Sequence, residues 1–322
     1  ENRVPHIPFL VYEDNLICGV LVEQCVGPCV GEMLIENVEI DGVGFVGREF
    51  RRRLRFKRMP NLVQTEMRIV PKDPSAGVED GEFELDTGVL VHSYLALMVA
   101  SLSMVGTYID ERIQSIVKPR ALCIGVGGGA LLGFLQTQLG FDVVGVEVDE
   151  VVLRIARRYF GLENAEPIQI IVGDGIDFLA NIAKQPVWEF HSSNAPYREN
   201  DRNMDEIDGL GTKYDVIMVD LDSGDAGSGT SAPPLEFVKR SVLLAARRAL
   251  SKLGILVINV IPQSRSCYEN LIHEFRVVFQ DLYEIVVENE ENHVLVAAAS
   301  SIDISTPESE NSFLSRLKQS IP

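Results

Sequence analysis

Residues 121–279 alternate short apolar runs with amphipathic ones, and that alternation leaves few folds open. Residues 121–126, 142–148, 168–172, 214–219 and 255–260 have the length and β-branched content of buried strands. Residues 130–139, 150–159, 176–183, 235–250 and 267–279 follow them in turn and carry apolar side chains every three or four positions. Strand and helix in strict succession predict a parallel sheet with right-handed crossovers. The ending breaks the rhythm. Residues 282–288 and 293–299 both read as strands, and only four residues separate them. That gap is too short for a crossover helix, so the two strands must form an antiparallel hairpin.

The rest of the chain is arranged around this unit. Residues 15–24, 51–56 and 62–70 read as strands, Gly42 and Gly44 mark a turn, and 71–80 is a loop. A small β-rich domain over 1–90 is therefore expected. A helical pattern over 92–114 predicts a connecting helix within 91–118, ahead of a Rossmann-like domain over 119–300. Residues 185–212 are polar, acidic and aperiodic, and read as a disordered surface insertion. Residues 301–322 form a tail with a short helix at 313–321. The cluster Arg48, Arg51, Arg52, Arg53, Arg55, Lys57 and Arg58 reads as the solvated face of a β-hairpin laced with ion pairs.

Charge narrows the partners. The formal net charge is −18, which argues against naked nucleic acid and favours a basic protein or a polyamine. No apolar run reaches the ~18 residues of a membrane span, so no membrane partner is expected. The five cysteines are scattered and read as reduced thiols of a cytoplasmic protein. Cys25 and Cys29 lack the second pair that a zinc site needs, so no metal is expected. Residue 1 is Glu with no leader after it, so the sequence reads as a piece of a longer protein.

Chemistry gathers at the carboxyl ends of the strands. Gly125, Gly127, Gly128 and Gly129 follow a buried strand and open a helix, where glycines permit a sharp turn and a close ligand approach. Glu147 ends the next strand, suited to accept two hydrogen bonds from ribose hydroxyls. Asp149 either shares that role or caps the following helix. Asp174, beside Gly175 at the end of the third strand, is placed to meet an adenine amine, to cap its helix, or both. Asp220 ends the fourth strand at the switch-point crevice. The loop also satisfies G-x-G-x-x-A through Gly125, Gly127 and Ala130, the pattern of a nicotinamide-binding fold. The hairpin ending and Asp174 count against that reading.

Residues 124–129, 146–149, 173–178 and 214–220 resemble the spermidine synthase-like branch of class I methyltransferases. Residues 61–66 (NLVQTE), 92–97 (HSYLAL), 214–222 (YDVIMVDLD) and the Pro233-Pro234-x-x-Phe237-Val238 pattern are closer still to one family. They resemble the C-terminal module of the eukaryotic elongation factor 1-alpha lysine and N-terminal methyltransferases. The resemblance implies a Rossmann-like class I methyltransferase fold, with a mostly parallel sheet ending in an antiparallel hairpin, after a small β-rich domain. It implies S-adenosyl-L-methionine as cofactor, held by the glycine loop with Glu147, Asp149, Asp174, Gly175 and Asp220. It further implies a protein substrate such as elongation factor 1-alpha, methylated on a lysine or an N-terminal amine, and leaves a homodimer open. The aminopropyltransferases carry an aspartate where this chain has Gly128. A carboxylate there would repel the α-carboxylate of S-adenosylmethionine. They also follow the fourth-strand aspartate with Ser-Ser-Asp-Pro, where this chain has Leu221-Asp222-Ser223-Gly224-Asp225.

Methyl transfer from a sulfonium is an in-line displacement, so the protein has mainly to align and desolvate an uncharged amine. Asp220 is the expected catalytic group nearest the reacting centre, and Asp222 or Asp225 would help orient an ammonium. His92 and Tyr94, in an apolar helical run, read as packing groups or as the lining of an acceptor channel. An aminopropyltransferase and a catalytically silent scaffold are the rival readings. The hairpin, Glu147 and Asp174 together predict that calorimetry detects binding of S-adenosylmethionine and none of NADH. Heat from NADH alone would reverse the assignment.

Overall fold

The computed structural model describes residues 16–41, 48–60, 62–73, 75, 77–79, 81–162, 168–184, 213–224, 229–287, 292–302 and 311–321. The expected insertion at 185–212, the glycines at 42 and 44, and Asp225 lie outside them.

The first unit is an antiparallel sheet in sequence order: β1 (Leu16–Gly27), β2 (Gly31–Ile40), β3 (Glu49–Phe56), β4 (Val63–Pro71) and β5 (Phe83–Leu85). Strand β2 was not expected from the sequence. The register that buries Met33 and Ile35 also buries Asn37 and Glu39, which blurs the apolar–polar alternation. Arg52 Nε donates to Asn37 Oδ1 at 2.8 Å, and Arg48 pairs with Glu39, so both polar groups are satisfied where they sit.

The expectation of a solvated arginine face is corrected by the same pairs. Arg53 is only 3% exposed and donates from Nε to Glu66 Oε1 at 2.5 Å. Arg51 binds Glu66 from Nη1 at 3.0 Å. Arg52 reaches out of the sheet to the Tyr159 carbonyl, and Arg58 to Asp222. The cluster braces the sheet and ties it to its neighbours.

Helix α1 (Ser93–Ala100), a 3-10 turn (Ser101–Val105) and α2 (Gly106–Gln114) form one continuous segment. Its 22 residues are long and apolar enough to cross a membrane, contrary to the expectation that no segment would be. Instead Leu95, Met98, Val99, Leu102, Val105 and Ile109 bury against one face of the second sheet.

That sheet runs β12 (Asp281–Val286), β13 (His293–Ala298), β11 (Leu250–Pro262), β9 (Tyr214–Val219), β6 (Arg120–Ile124), β7 (Asp142–Glu147) and β8 (Ile168–Val172), with β10 (Thr230–Ala232) paired to the end of β11. Strands β6 to β9 and β11 are mutually parallel, and β13 is antiparallel to both β11 and β12. The final hairpin folds back so that its second strand enters the sheet beside β11. One face carries the α1–α2 segment, α3 (Ala130–Thr137) and α8 (Ser312–Ser320). The other carries α5 (Gly175–Lys184), α6 (Arg240–Ala249) and α7 (Arg265–Val278). Helix α4 (Glu150–Tyr159) is shared, because Val152 and Ile155 pack on Met33, Leu54 and Phe56 of the first sheet.

The helix of the expected tail belongs to the core. Phe313, Leu314 and Leu317 are buried, and Asp110 Oδ1 accepts from Ser312 Oγ at 2.5 Å and from the Phe313 amide at 3.0 Å.

Asp149 joins the two sheets. It is fully buried, caps α4 through the Val151 amide at 2.9 Å, and accepts the Cys29 and Val30 amides at 2.8 and 3.0 Å. Asp149→Ala should therefore lose a cap and strand two amides of the β1–β2 turn. The expected cost is about 2–4 kcal/mol in urea unfolding. An unchanged midpoint would mean that the turn is not anchored there.

Candidate functional site

The carboxyl ends of β6, β7, β8 and β9 face one crevice, with the glycine loop between β6 and α3 at its centre. Gly125 and Gly129 have φ of +85° and +87°. A Cβ on Gly125 would overlap the Asp220 carbonyl, so this loop passes directly against the end of β9. Gly128 is fixed by a different contact. A Cβ there would lie 2.6 Å from Thr65 Cγ2 and 3.0 Å from the Phe160 ring, and its amide donates to Thr65 Oγ1 at 2.8 Å. Packing against β4 and α4 is a steric reason for this glycine, beside the charge argument made for it from the sequence.

Glu147 ends β7, is 7% exposed, and braces that loop. Its Oε2 accepts the Val126 and Gly127 amides at 3.0 and 3.4 Å, and its Oε1 accepts the Asp149 amide at 3.2 Å. Burial pushes its carboxyl above the ordinary value, and the three amides oppose the shift. A carboxylate offers about four acceptor positions, so roughly one remains for a ligand where the sequence suggested two. Asp149 is corrected outright as a cofactor group, since its buried oxygens are taken by α4 and the β1–β2 turn. Asp174 caps α5 through the Ile176 and Asp177 amides at 2.7 and 3.1 Å, using Oδ1 only. Gly175 lies flat on β6, where a Cβ would overlap Ile124.

Asp220 sits where β9 meets the crevice. Tyr94 OH donates to its Oδ2 at 3.0 Å, and Asn259 Nδ2 donates to its Oδ1 at 3.1 Å. Asn292 Nδ2 in turn holds Asn259 Oδ1 at 2.8 Å. His92 Nδ1 lies 3.3 Å from Tyr94 OH. Both helix residues thus face polar chemistry and are more than packing groups. Burial raises the Asp220 carboxyl above its ordinary value, opposed by Asn259, Tyr94 and the nearby His92. Asp222 is differently placed: Arg58 Nη2 contacts both of its oxygens, at 2.7 and 3.0 Å, and the Gly224 amide donates at 2.9 Å. That ion pair leaves Asp222 as a brace for the loop, and a direct catalytic role does not fit it. Gln64 lies beside Asp222 and helps hold its charge, yet its Nε2 is buried without a hydrogen bond of normal geometry. A buried amide donor in a crevice of this kind suits an anionic ligand group.

No family model matches the chain. The zebrafish eEF1A lysine and N-terminal methyltransferase is 28% identical over 315 residues, covering 92% of this chain and 41% of that protein. The human protein is 25% identical over 313 residues, covering 90% and 40%. Over nine tenths of its length this chain is similar to the eEF1A lysine and N-terminal methyltransferases. It spans about two fifths of their length. A polyamine aminopropyltransferase of Vibrio vulnificus is 26% identical over a shorter 187 residues, 57% of this chain and 51% of that one. Among solved structures, human methyltransferase-like protein 13 in complex with SAH superposes with a TM-score of 0.54 at 24% identity, covering 71% of this chain and 90% of that one. A probable spermidine synthase from Corynebacterium glutamicum reaches 0.55 at 14% identity, covering 92% and 86%. The fold is therefore the class I methyltransferase fold with an antiparallel sheet in front, as the sequence implied.

The similarity to those methyltransferases does not by itself pick out Asn259, Arg58 or the role of Thr65. Asn259 stands in no local pattern, and the patterns that contain Arg58 and Thr65 assign them no such role, because each acts across at least 39 positions of chain. Gln64 stood within a motif noted from sequence, though without an assigned role.

The upward shift at Asp220 has a consequence for stability. The folded state holds that proton more tightly than the unfolded chain, so ionising Asp220 costs stability as pH rises from the ordinary carboxylate range through its raised value. Asp220→Asn removes the cost. The variant should melt above the parent at pH 7, and the gap should close as pH falls toward about 4. An Asn variant that melts lower at every pH would show that the charge itself holds Tyr94 and Asn259.

Proposed function

We propose that this chain is a methyltransferase module that uses S-adenosyl-L-methionine to methylate an amine on a protein, with elongation factor 1-alpha as the leading substrate. The observation that carries this reading is Asp220, a desolvated carboxylate held from both sides by Tyr94 and Asn259, set directly against the glycine loop. The names of the relatives support the protein substrate, and the SAH in complex with one fold neighbour supports the cofactor.

The residues present fit that cofactor. Glu147 has acceptor capacity left for a ribose hydroxyl, Asp174 keeps Oδ2 for a polar group of the base, and the buried Gln64 amide beside Asp222 is a donor for the amino-acid tail. The first amides of α3 add a partial positive end. When bound, S-adenosylmethionine supplies a methyl group on a good leaving thioether. The chain's own residues do the rest. Asp220 accepts hydrogen bonds from the acceptor ammonium, orients it, and takes the proton that must leave before the nitrogen can attack. Tyr94 and Asn259 fix the orientation of the Asp220 carboxylate, one donor on each oxygen, and leave acceptor capacity for the amine. Arg58, paired to Asp222, holds the loop that follows, and its pairing leaves Asp220 as the anion that faces the acceptor.

Cofactor labelled in the methyl group tests the reading. Incubated with elongation factor 1-alpha, the parent should transfer label to protein. Asp220→Asn should slow transfer by about 100-fold or more while still binding cofactor. Aminopropyl transfer to putrescine, with tighter binding of the decarboxylated cofactor, would replace the proposal with polyamine synthesis.

A further inference from the structure

Residue 92 occupies the N-cap of α1, a position where Ser, Thr, Asp and Asn are favoured because their side chains bind the free helix amides. His92 makes no such capping bond. Its imidazole is turned elsewhere, with the side chain only 14% exposed. Nδ1 lies 3.3 Å from Tyr94 OH, and the two rings are 5.3 Å apart and tilted by 43°. On its other side, Nε2 lies 3.9 Å from Glu66 Oε2. Glu66 is a buried anion held in place by Arg53 Nε at 2.5 Å and Arg51 Nη1 at 3.0 Å. Tyr94 OH completes the line at 3.0 Å from Asp220 Oδ2. Four groups from three elements thus stand in series, from the crevice to a fixed anion at the first sheet.

We propose that Asp220, Tyr94 and His92 form a proton relay, in which His92 Nδ1 is the terminal acceptor and Glu66 steadies the imidazolium. The relay rests on the reading of the site as an amine methyltransferase. An ammonium N–H proton passes to Asp220, which frees the nitrogen lone pair. Once Asp220 is protonated it no longer needs the Tyr94 proton, and the Tyr94 hydroxyl turns from Asp220 toward His92 Nδ1; the Asp220 carboxylic acid then gives its proton to the Tyr94 oxygen as the Tyr94 hydroxyl proton moves to His92 Nδ1. The carboxylate is restored, His92 carries the charge beside Glu66, and the imidazolium then returns its proton to water. The amine nitrogen meanwhile forms its bond to the methyl carbon as the carbon–sulfur bond breaks. The relay needs the neutral tautomer with hydrogen on Nε2, which Glu66 favours by facing that nitrogen.

The charges around His92 divide. The amino end of α1 disfavours an imidazolium, and Arg51 and Arg53 weaken the pull of Glu66 by pairing with it. Asp220 favours the charged form from the far side of Tyr94, while Asp222 is offset by Arg58. His92 is a positioning residue in this scheme, since it acts on the substrate through Tyr94 and Asp220.

Two readouts on the full chain test it. In the first, carbon-13-labelled histidine is titrated by NMR, with the His92 signal identified by its loss in His92→Gln. Asp220→Asn should move the His92 midpoint down by about half a unit or more, because an anion two groups away has gone. A midpoint that does not move would overturn the relay. This experiment needs neither cofactor nor substrate, so it stands apart from the methyltransferase assignment. In the second, methyl transfer is followed against pH with labelled cofactor. Both His92→Gln and Tyr94→Phe should lower kcat about tenfold or more, flatten the acid limb of the profile and leave cofactor affinity unchanged. A folded His92→Gln with the parent's kcat and pH profile would remove His92 from the reaction. A parent that transfers no methyl group would defeat the functional reading, and the titration would then judge the hydrogen-bonded line by itself.

Discussion

The glycine loop after β6 can lie where it does because four of its residues have no side chain, and two of them show what presses on it. Gly125 passes against the carbonyl of Asp220, and Gly128 presses on Thr65 and Phe160. These contacts come from opposite sides: the first from the end of β9, the second from the first sheet and α4. The loop is the point at which the parallel sheet, its switch point and the antiparallel sheet meet. Widening it at either glycine would separate the end of β9 from β6, or β4 from the loop. Asp220, Gln64 and Glu147 would then no longer face a common crevice.

Around that point an acidic protein buries several carboxylates and gives each a different occupation. Glu147 holds two amides of the loop and the amide of Asp149, Asp149 ties a helix to a turn in the other sheet, and Asp222 is paired with Arg58. Asp220 is held instead by two neutral side chains, Tyr94 and Asn259. Burial raises the carboxyls of Glu147, Asp220 and Asp222 alike, and at Asp220 only neutral side-chain hydrogen bonds and the nearby His92 oppose it, so its ionised form is costly. Stability is given up at the place where a proton acceptor is useful, a common feature of functional carboxylates.

The arginine cluster of β3 shows how tertiary context changes the meaning of a charge run. Read along the chain it is a basic stripe. In the fold its members are consumed by Glu39, Glu66 and Asn37 within the sheet, and by Tyr159 and Asp222 beyond it. The stripe is therefore part of the scaffold behind His92 and Asp220, and Glu66 owes its fixed position to it.

Periodicity and spacing by themselves determined the order of strands and helices from β6 to β13 apart from the short β10, the antiparallel ending, and the loop with Glu147 and Asp220 at strand ends. These are local properties: side chains repeat every two or about 3.6 residues, and strand ends fall where apolar runs stop. Four matters were decided only in three dimensions. Strand β13 inserts between β11 and β12. Helix α8 joins the core through Asp110. Asp149 serves the hairpin at residues 29 and 30, about 120 positions away. Tyr94 and His92 turn toward Asp220, 126 positions from Tyr94. A sequence shows that Asp149 and Asp220 are both carboxylates near strand ends, but not which donors will surround each. That depends on how the first sheet docks against α4 and how α1 lies along β11, and docking is set by burial summed over both surfaces, which no local pattern records.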